Sequence, residues 1–209
     1  MTAAPLASVL LTGEPAAVAA VKDVLTSHAS IRVGGATPDA TPFDPGDVSL
    51  VLWAGAPIGP EALAWNRVCL AKERPLVAAF PLPDGALLGP LVRPERGACL
   101  ACLGTQAALG AVPAPFDSLL RRSHVPFGDL SRGSSAAGAR ADDLLDRDSP
   151  LLRESLLWVY GNGRAGASCI VTRFATCPGC GDRLVSPAEV FYATQLFPPP
   201  EVRGSHDRP

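Results

Sequence analysis

The sequence is poor in charge and in aromatic rings, and its acids and bases nearly cancel. Charged residues make up 18% of the 209 residues and the formal net charge is −2. No long basic stripe occurs, so the electrostatic footprint of a nucleic-acid partner or an anionic membrane is missing. No run reaches about 18 uninterrupted apolar residues, so no membrane span is expected. The opening MTAAPLASVLLTGE has no basic segment and only a short apolar run. It reads as a first strand and not as an export signal, which implies a cytoplasmic chain whose thiols stay reduced. Histidine is scarce too. His28, His124 and His206 are the three present, and none has a neighbour in sequence that marks it as catalytic.

What is present is apolar. Hydrophobic residues are 47% of the chain, enough for one domain with a real core, or a domain plus a small module. Residues 8–12, SVLLT, form a short apolar run closed by Gly13 and predict a buried strand. Pro15 stands where a helix would begin, and Val18, Val21 and Leu25 then recur on one stripe. SIRVGG, 30–35, predicts a second strand, and 36–48 is loop-like, with three prolines and no period. Residues 48–53, VSLVLW, give the clearest buried strand. Pro60 opens a helix with Ala62, Trp65 and Cys69 on one face, and 75–80, PLVAAF, predicts another strand. Strands alternating with helices at these lengths predict a parallel sheet with covering helices. Residues 86–92 follow as an extended run. From about Gly110 the pattern weakens, and 131–150 is small, polar and without period, predicting a flexible crossover. Residues 156–160 and 168–174 are strand-like and joined by GNGRAGA, a hairpin signal. The expected organisation is a core over 1–130, the crossover over 131–150, a hairpin unit over 151–196 and a disordered tail over 197–209.

Six cysteines carry the strongest chemical signal. Cys99 and Cys102 form one CxxC pair, and Cys177 and Cys180 form a second, 75 positions after Cys102. Four thiolates give zinc a closed tetrahedral shell, each CxxC spanning one edge. A closed shell leaves no place for water, so such a zinc is structural. It would join segments far apart in the chain and so stabilise the fold. The competing reading is two unrelated thiol pairs, one of them redox-active; paired spacing in a reducing compartment favours metal. Gly179 and Gly181 free the backbone to turn its N–H groups toward sulfur. Cys69 and Cys169 fall inside a helix and a strand and read as small core residues.

Two glycine stretches invite a nucleotide-site reading and neither supports it. Gly161-Asn-Gly163-Arg-Ala-Gly166 matches GxGxxG, yet it lies between two strands, where Asn-Gly signals a turn. A dinucleotide-binding loop belongs after the first strand, at the mouth of the first helix. There the chain has only Gly13, followed by Glu14, which repels phosphate, and Pro15, which lacks an N–H. No acidic residue follows the second strand to hold a ribose. The fold class expected is α/β, a degenerate Rossmann-like parallel sheet with a C-terminal zinc-tethered β-hairpin.

The stretches DVSLVLW (47–53), WNRVC (65–69), PLV (75–77), GPLV (89–92) and CLAC (99–102), with a second CxxC some seventy residues on, resemble the ThiF/MoeB superfamily related to ubiquitin-activating enzymes. In that family a strand precedes a helix carrying an N-x-x-C turn, a P-L-V strand and the first zinc CxxC. Residues 47–103 and 156–181 carry the match, a little under half of the chain. The segment LLGPLVRPERGACLACL is further similar to the ThiF-like partner proteins of YcaO cyclodehydratases, with Glu95 where their pattern has glycine.

That resemblance implies a role in making ribosomal peptides that contain azole or azoline rings. In such systems the ThiF-like protein has lost adenylation and helps present the precursor, while the YcaO enzyme consumes ATP. The implied partners are a YcaO-type cyclodehydratase, the precursor (leader) peptide and a second copy in a homodimer. The implied cofactor is structural zinc on Cys99, Cys102, Cys177 and Cys180. No ATP is expected on this chain and no residue is assigned a catalytic role. The family's glycine loop is missing, and Ala54-Gly-Ala-Pro-Ile-Gly59 stands where its magnesium-binding Asp would be. Its phosphate-holding Arg and Lys have no clear counterpart. Longer relatives carry a winged-helix module ahead of this domain that grips the leader. This chain opens at the first strand, so that module is expected on another protein, or the leader is bound elsewhere. Two alternatives remain: a divergent adenylating enzyme for a sulfur carrier or peptide C-terminus, and a zinc-binding interaction domain unrelated to peptide modification.

Overall fold

The computed structural model describes residues 8–25, 30–94, 96–121, 130–138, 140 and 154–181. The three histidines, the 141–150 part of the expected crossover, 151–153 and the 182–209 stretch with the expected tail lie outside the described residues. The fold is mixed α/β. Its elements are β1 (Ser8–Gly13), α1 (Pro15–Leu25), β2 (Ser30–Val33), β3 (Leu50–Ala54), α2 (Pro60–Ala71), β4 (Leu76–Leu82), β5 (Gly85–Val92), α3 (Leu100–Ala108), α4 (Ala114–Leu120), α5 (Ser131–Gly138), β6 (Ser155–Tyr160) and β7 (Ala165–Ile170). Short 3-10 turns at Pro38–Ala40 and Pro45–Asp47 fill the proline-rich connection between β2 and β3. Among the described residues no helix is long and apolar enough to cross a membrane.

The seven strands form one sheet in the order β2-β1-β3-β4-β5-β6-β7. The first four pair in parallel, and β4 to β7 pair antiparallel. The parallel half and the C-terminal hairpin match the expected fold class, and the antiparallel pairing of β5 with β4 and β6 joins them. The physical reason lies in the connections. Only Pro83 and Asp84 separate β4 from β5, and so short a link can make a hairpin, whereas a parallel return needs a crossover of a dozen residues or more. The strands that read as unbroken apolar runs are the interior ones. Every residue of β3, β4 and β5 is buried, as expected for strands covered on both faces.

Helix α1 starts at Pro15 and buries Ala17, Val18, Val21 and Leu25. Helix α2 takes Gly59 as its N-cap, places Pro60 in its first turn and buries Ala62, Trp65, Asn66, Cys69 and Leu70. The chain steps outward from β1 to β2 and in the other direction from β3 to β4. With right-handed crossovers, α1 and α2 then cover opposite faces. Trp65 anchors the loop after β2: its indole N–H donates to the Ala36 carbonyl at 3.0 Å, and its ring stacks on Phe43 at 6.0 Å.

The structure also corrects the expectation that a flexible crossover begins at residue 131. Residues Ser131–Gly138 form α5, packed on α1, β4 and β5. Ala136 and Ala137 are fully buried. A methyl group added at Gly133 would overlap the Leu82 carbonyl, and one at Gly138 would overlap Val24. The small residues that made this segment look unable to fold are what let its backbone lie against the sheet.

Candidate metal centre

The four CxxC cysteines come from two stretches 75 positions apart in the chain, counted from Cys102 to Cys177. Cys99 is the N-cap of α3 and Cys102 lies in its first turn, so a three-residue spacing puts both on one side of the helix start. Cys177 and Cys180 lie on a turn just beyond β7, where the Cys177 N–H donates to the Phe174 carbonyl and the Gly181 N–H donates to the Cys177 carbonyl at 2.7 Å. Hairpin β6–β7 delivers this turn to α3. Its connection is 161–164, the first four residues of the glycine stretch: the Gly163 N–H donates to the Tyr160 carbonyl, and Asn162 Oδ1 accepts from the Arg164 N–H. The GxGxxG letters are thus a hairpin turn, as their position between strands predicts.

The four sulfurs lie within 4.8 Å of one another and all four residues are buried. Cys99 Sγ is 3.6 Å from Cys177 Sγ and 4.0 Å from Cys102 Sγ, and Cys102 Sγ is 3.5 Å from Cys180 Sγ. A tetrahedron of sulfurs about 2.3 Å from a central zinc has edges of about 3.8 Å, and the separations bracket that value. A disulfide would need about 2.05 Å, and all six cysteines are free thiols. Four soft sulfur donors at tetrahedral spacing could hold a metal ion.

The surroundings hold this geometry in place. Gly179 packs directly against the first pair: a Cβ there would stand 3.1 Å from Cys99 Sγ. The Gly179 N–H donates to Cys177 Sγ at 3.4 Å, as the sequence predicts, whereas the Gly181 N–H serves the Cys177 carbonyl instead. Arg173 donates to the Cys180 carbonyl at 3.1 Å and brings a positive charge to the turn. Gln106, one turn beyond Cys102 and buried, donates to the Ile170 carbonyl at 3.0 Å and accepts from the Thr172 N–H at 2.9 Å. It stitches α3 to the end of β7. Asn66 of α2 accepts from the Leu100 N–H at 3.1 Å and so caps α3. Motif reading missed Gln106, Arg173 and the role of Asn66. The one available signal was a polar residue, Asn66, on the apolar stripe of α2.

Hydrogen bonds among the thiols shift their titration. Cys99 is pushed well above the usual thiol range, first by its hydrogen bond with Cys102, then by that with Cys180 and by burial. Cys180 is pushed up to about 12, chiefly by its hydrogen bond with Cys102. Cys102 is the acceptor at the centre and is held low by Cys180 first and Cys99 second. Cys99, Cys102 and Cys180 share these hydrogen bonds, so their protons come off as a set. The other two cysteines stand apart. Cys69 is pushed up to about 12 by burial inside α2, and Cys169 is raised for the same reason in β7. Both behave as core residues.

A second feature lies at the carboxyl ends of β1 and β3, where the strand order reverses. Open α/β sheets bind ligands at such a point. The crevice there has a volume of about 140 Å³ and is lined by Glu14, Pro15, Ala36, Trp53, Ala56, Gly59 and Glu61. None of these is basic. Glu14 Oε1 accepts from the Ala56 N–H at 3.1 Å, and the Trp53 indole donates to the Ala56 carbonyl at 3.0 Å. The chain's own carboxylate thus occupies this backbone donor. Gly13, with φ of 140°, is required for strand approach: a side chain there would overlap the Ala54 carbonyl.

Sheet and cysteine cluster together define a Rossmann-like α/β domain clasped by a four-thiol centre. Its fold is shared with two kinds of solved protein. The heterocyclase TruD superposes with a TM-score of 0.56 at 21% identity, over 85% of this chain and 28% of that one. E. coli MccB superposes with a TM-score of 0.55 at 15% identity, over 86% of this chain and 66% of that one; the same protein solved with ATP gives 0.53 at 15% identity, over 84% and 66%. The chain therefore spans about a quarter of TruD and just under two thirds of MccB. No protein-family profile matches the chain, and no curated protein matches it in sequence.

Proposed function

We propose that the chain is a catalytically silent, zinc-stabilised ThiF-like scaffold that binds and supports a YcaO-type cyclodehydratase during synthesis of a ribosomal, heterocycle-containing peptide. Cys99, Cys102, Cys177 and Cys180 hold the zinc. The observation that carries the reading is the contrast between the two sites. The four-thiol clasp is complete, while the nucleotide crevice is lined by Glu14 and Glu61 and closed on the Ala56 N–H by the chain itself. A protein kept for its shape and not for adenylation has that combination. The fold shared with a heterocyclase supports the same direction. The precursor peptide is a further partner, and the scaffold acts as a homodimer in the cytoplasm. Co-purification from the native host, followed by heterocyclisation assays with the recovered partner, tests this. Recovery of a YcaO-type enzyme whose cyclisation rate rises with this chain is the expected outcome. No capture and no stimulation would overturn it.

A second reading, an ATP-dependent adenylating enzyme, is favoured by one observation: the similar MccB has been solved with ATP. ATP–pyrophosphate exchange by the purified chain separates the two. Scaffold function expects none above background, and robust exchange would establish the second reading.

A further inference from the structure

Asn66 has one satisfied end and one orphaned end. It is 1% exposed. Its Oδ1 accepts from the Leu100 N–H at 3.1 Å, and that bond fixes which way the amide points. The opposite atom, Nδ2, is buried and makes no hydrogen bond. A buried amide donor left unpaired costs about 1–3 kcal/mol, so a native chain rarely keeps one without a use. The direction of Nδ2 suggests the use. A Cβ on Gly179 would stand 3.2 Å from Asn66 Nδ2 and 3.1 Å from Cys99 Sγ. The amide and the Cys99 sulfur therefore flank the same side of Gly179, which lies between Cys177 and Cys180 in the second cysteine turn.

A divalent cation on four thiolates carries a net charge of −2. Buried charge of that size needs N–H donors on its sulfurs. The Gly179 N–H supplies one, on Cys177. We infer that Asn66 is a positioning residue of the metal centre: its Nδ2–H donates to the Cys99 thiolate when the four cysteines hold a cation, while its oxygen caps α3. One amide then joins α2, the start of α3 and the second cysteine turn. The inference rests on the metal-binding reading above and adds a residue to it.

The test uses the full chain labelled with ¹⁵N in asparagine alone. The sequence has two asparagines, Asn66 and Asn162, and Asn162 is exposed in the β6–β7 turn, so two side-chain signals suffice. Cadmium-113 is titrated in and thiolate binding is followed by ultraviolet charge-transfer absorption. The expected result is a downfield shift of the Asn66 amide protons with coupling to the cadmium nucleus, while Asn162 stays unchanged. In parallel, Asn66→Asp keeps the capping oxygen and removes the donor. Its metal affinity, read by competition with a chromophoric chelator, should fall about 10- to 100-fold. If cadmium–thiolate absorption develops but the Asn66 signal does not move, the positioning role is overturned and the metal centre stands. If no such absorption develops, the metal reading fails and this inference with it. The labelled native chain gives an answer whether or not the variant folds.

Discussion

If the four cysteines hold zinc as proposed, removing it should cost this fold much of its stability, and the size of the loss can be worked from the chain. The clasp joins Cys102 to Cys177, closing a loop of 75 residues. Such a cross-link lowers the entropy of the unfolded chain by an amount worth about 4.5 kcal/mol near room temperature. Domains of this size have total stabilities of about 5–15 kcal/mol, so the clasp is a large share. At roughly 2–4 °C per kcal/mol for a chain of 150–250 residues, the midpoint of thermal unfolding should fall by about 10–18 °C. The assay is calorimetry on zinc-loaded protein before and after a chelator has stripped it, with released zinc counted by a colorimetric indicator. The counted value should be one per chain. Cys177→Ser should reproduce most of the loss without chelator. If zinc is fully removed and the midpoint moves by less than about 3 °C, the clasp is not what ties the hairpin to the sheet. The loss should also be local in its first stage: amide exchange should rise in β6, β7 and the start of α3 before it rises in β1 and β3.

Proton bookkeeping gives a second expectation. In the metal-free cluster Cys99 and Cys180 sit above the usual thiol range and keep their protons at neutral pH. Metal loading must expel them, so binding heats measured in buffers of different ionisation enthalpy should diverge, and affinity should rise with pH. Identical heats in all buffers would contradict this. Gly133→Ala should cost about 1–3 kcal/mol in a urea titration, because its methyl has no room against the Leu82 carbonyl; a neutral result would mean α5 does not lie on the sheet as described. Cys69, buried and pushed up to about 12, should resist alkylation in the native protein and react only on unfolding. Fast native labelling of Cys69 would show that α2 opens far more readily than a core helix should.

Much of the outline is local and was therefore legible in the residues. The runs at 8–12, 48–53 and 75–80 are strands because apolar residues with no period must be buried on both faces. Pro15 and Pro60 mark helix starts because a missing N–H costs nothing there. The spacing of Cys99, Cys102, Cys177 and Cys180 stated a four-sulfur site in one dimension. The glycines at 161–166 declared a turn because their neighbours were strands.

Other features existed only once distant segments met. Residues 131–138 are small and polar by composition, so nothing local marks them as packed. They form a helix with one buried face because Leu82 and Val24 leave room only for glycine at Gly133 and Gly138. The antiparallel half of the sheet follows from the two-residue link at Pro83-Asp84, a matter of chain reach and not of pattern. Glu14 lines the crevice at the carboxyl ends of β1 and β3 and accepts from the Ala56 N–H, 42 residues away. Gln106 reaches the end of β7 across 64 residues, and Asn66 meets α3 and Gly179 from a separate helix. The sequence by itself determined which side chains could bind a metal and which segments had to be buried, because both depend on residue type and near spacing. The tertiary structure decided which polar groups support the cysteine cluster and which backbone donor Glu14 takes at the β1–β3 crevice, because hydrogen-bond partners are chosen by distance in space.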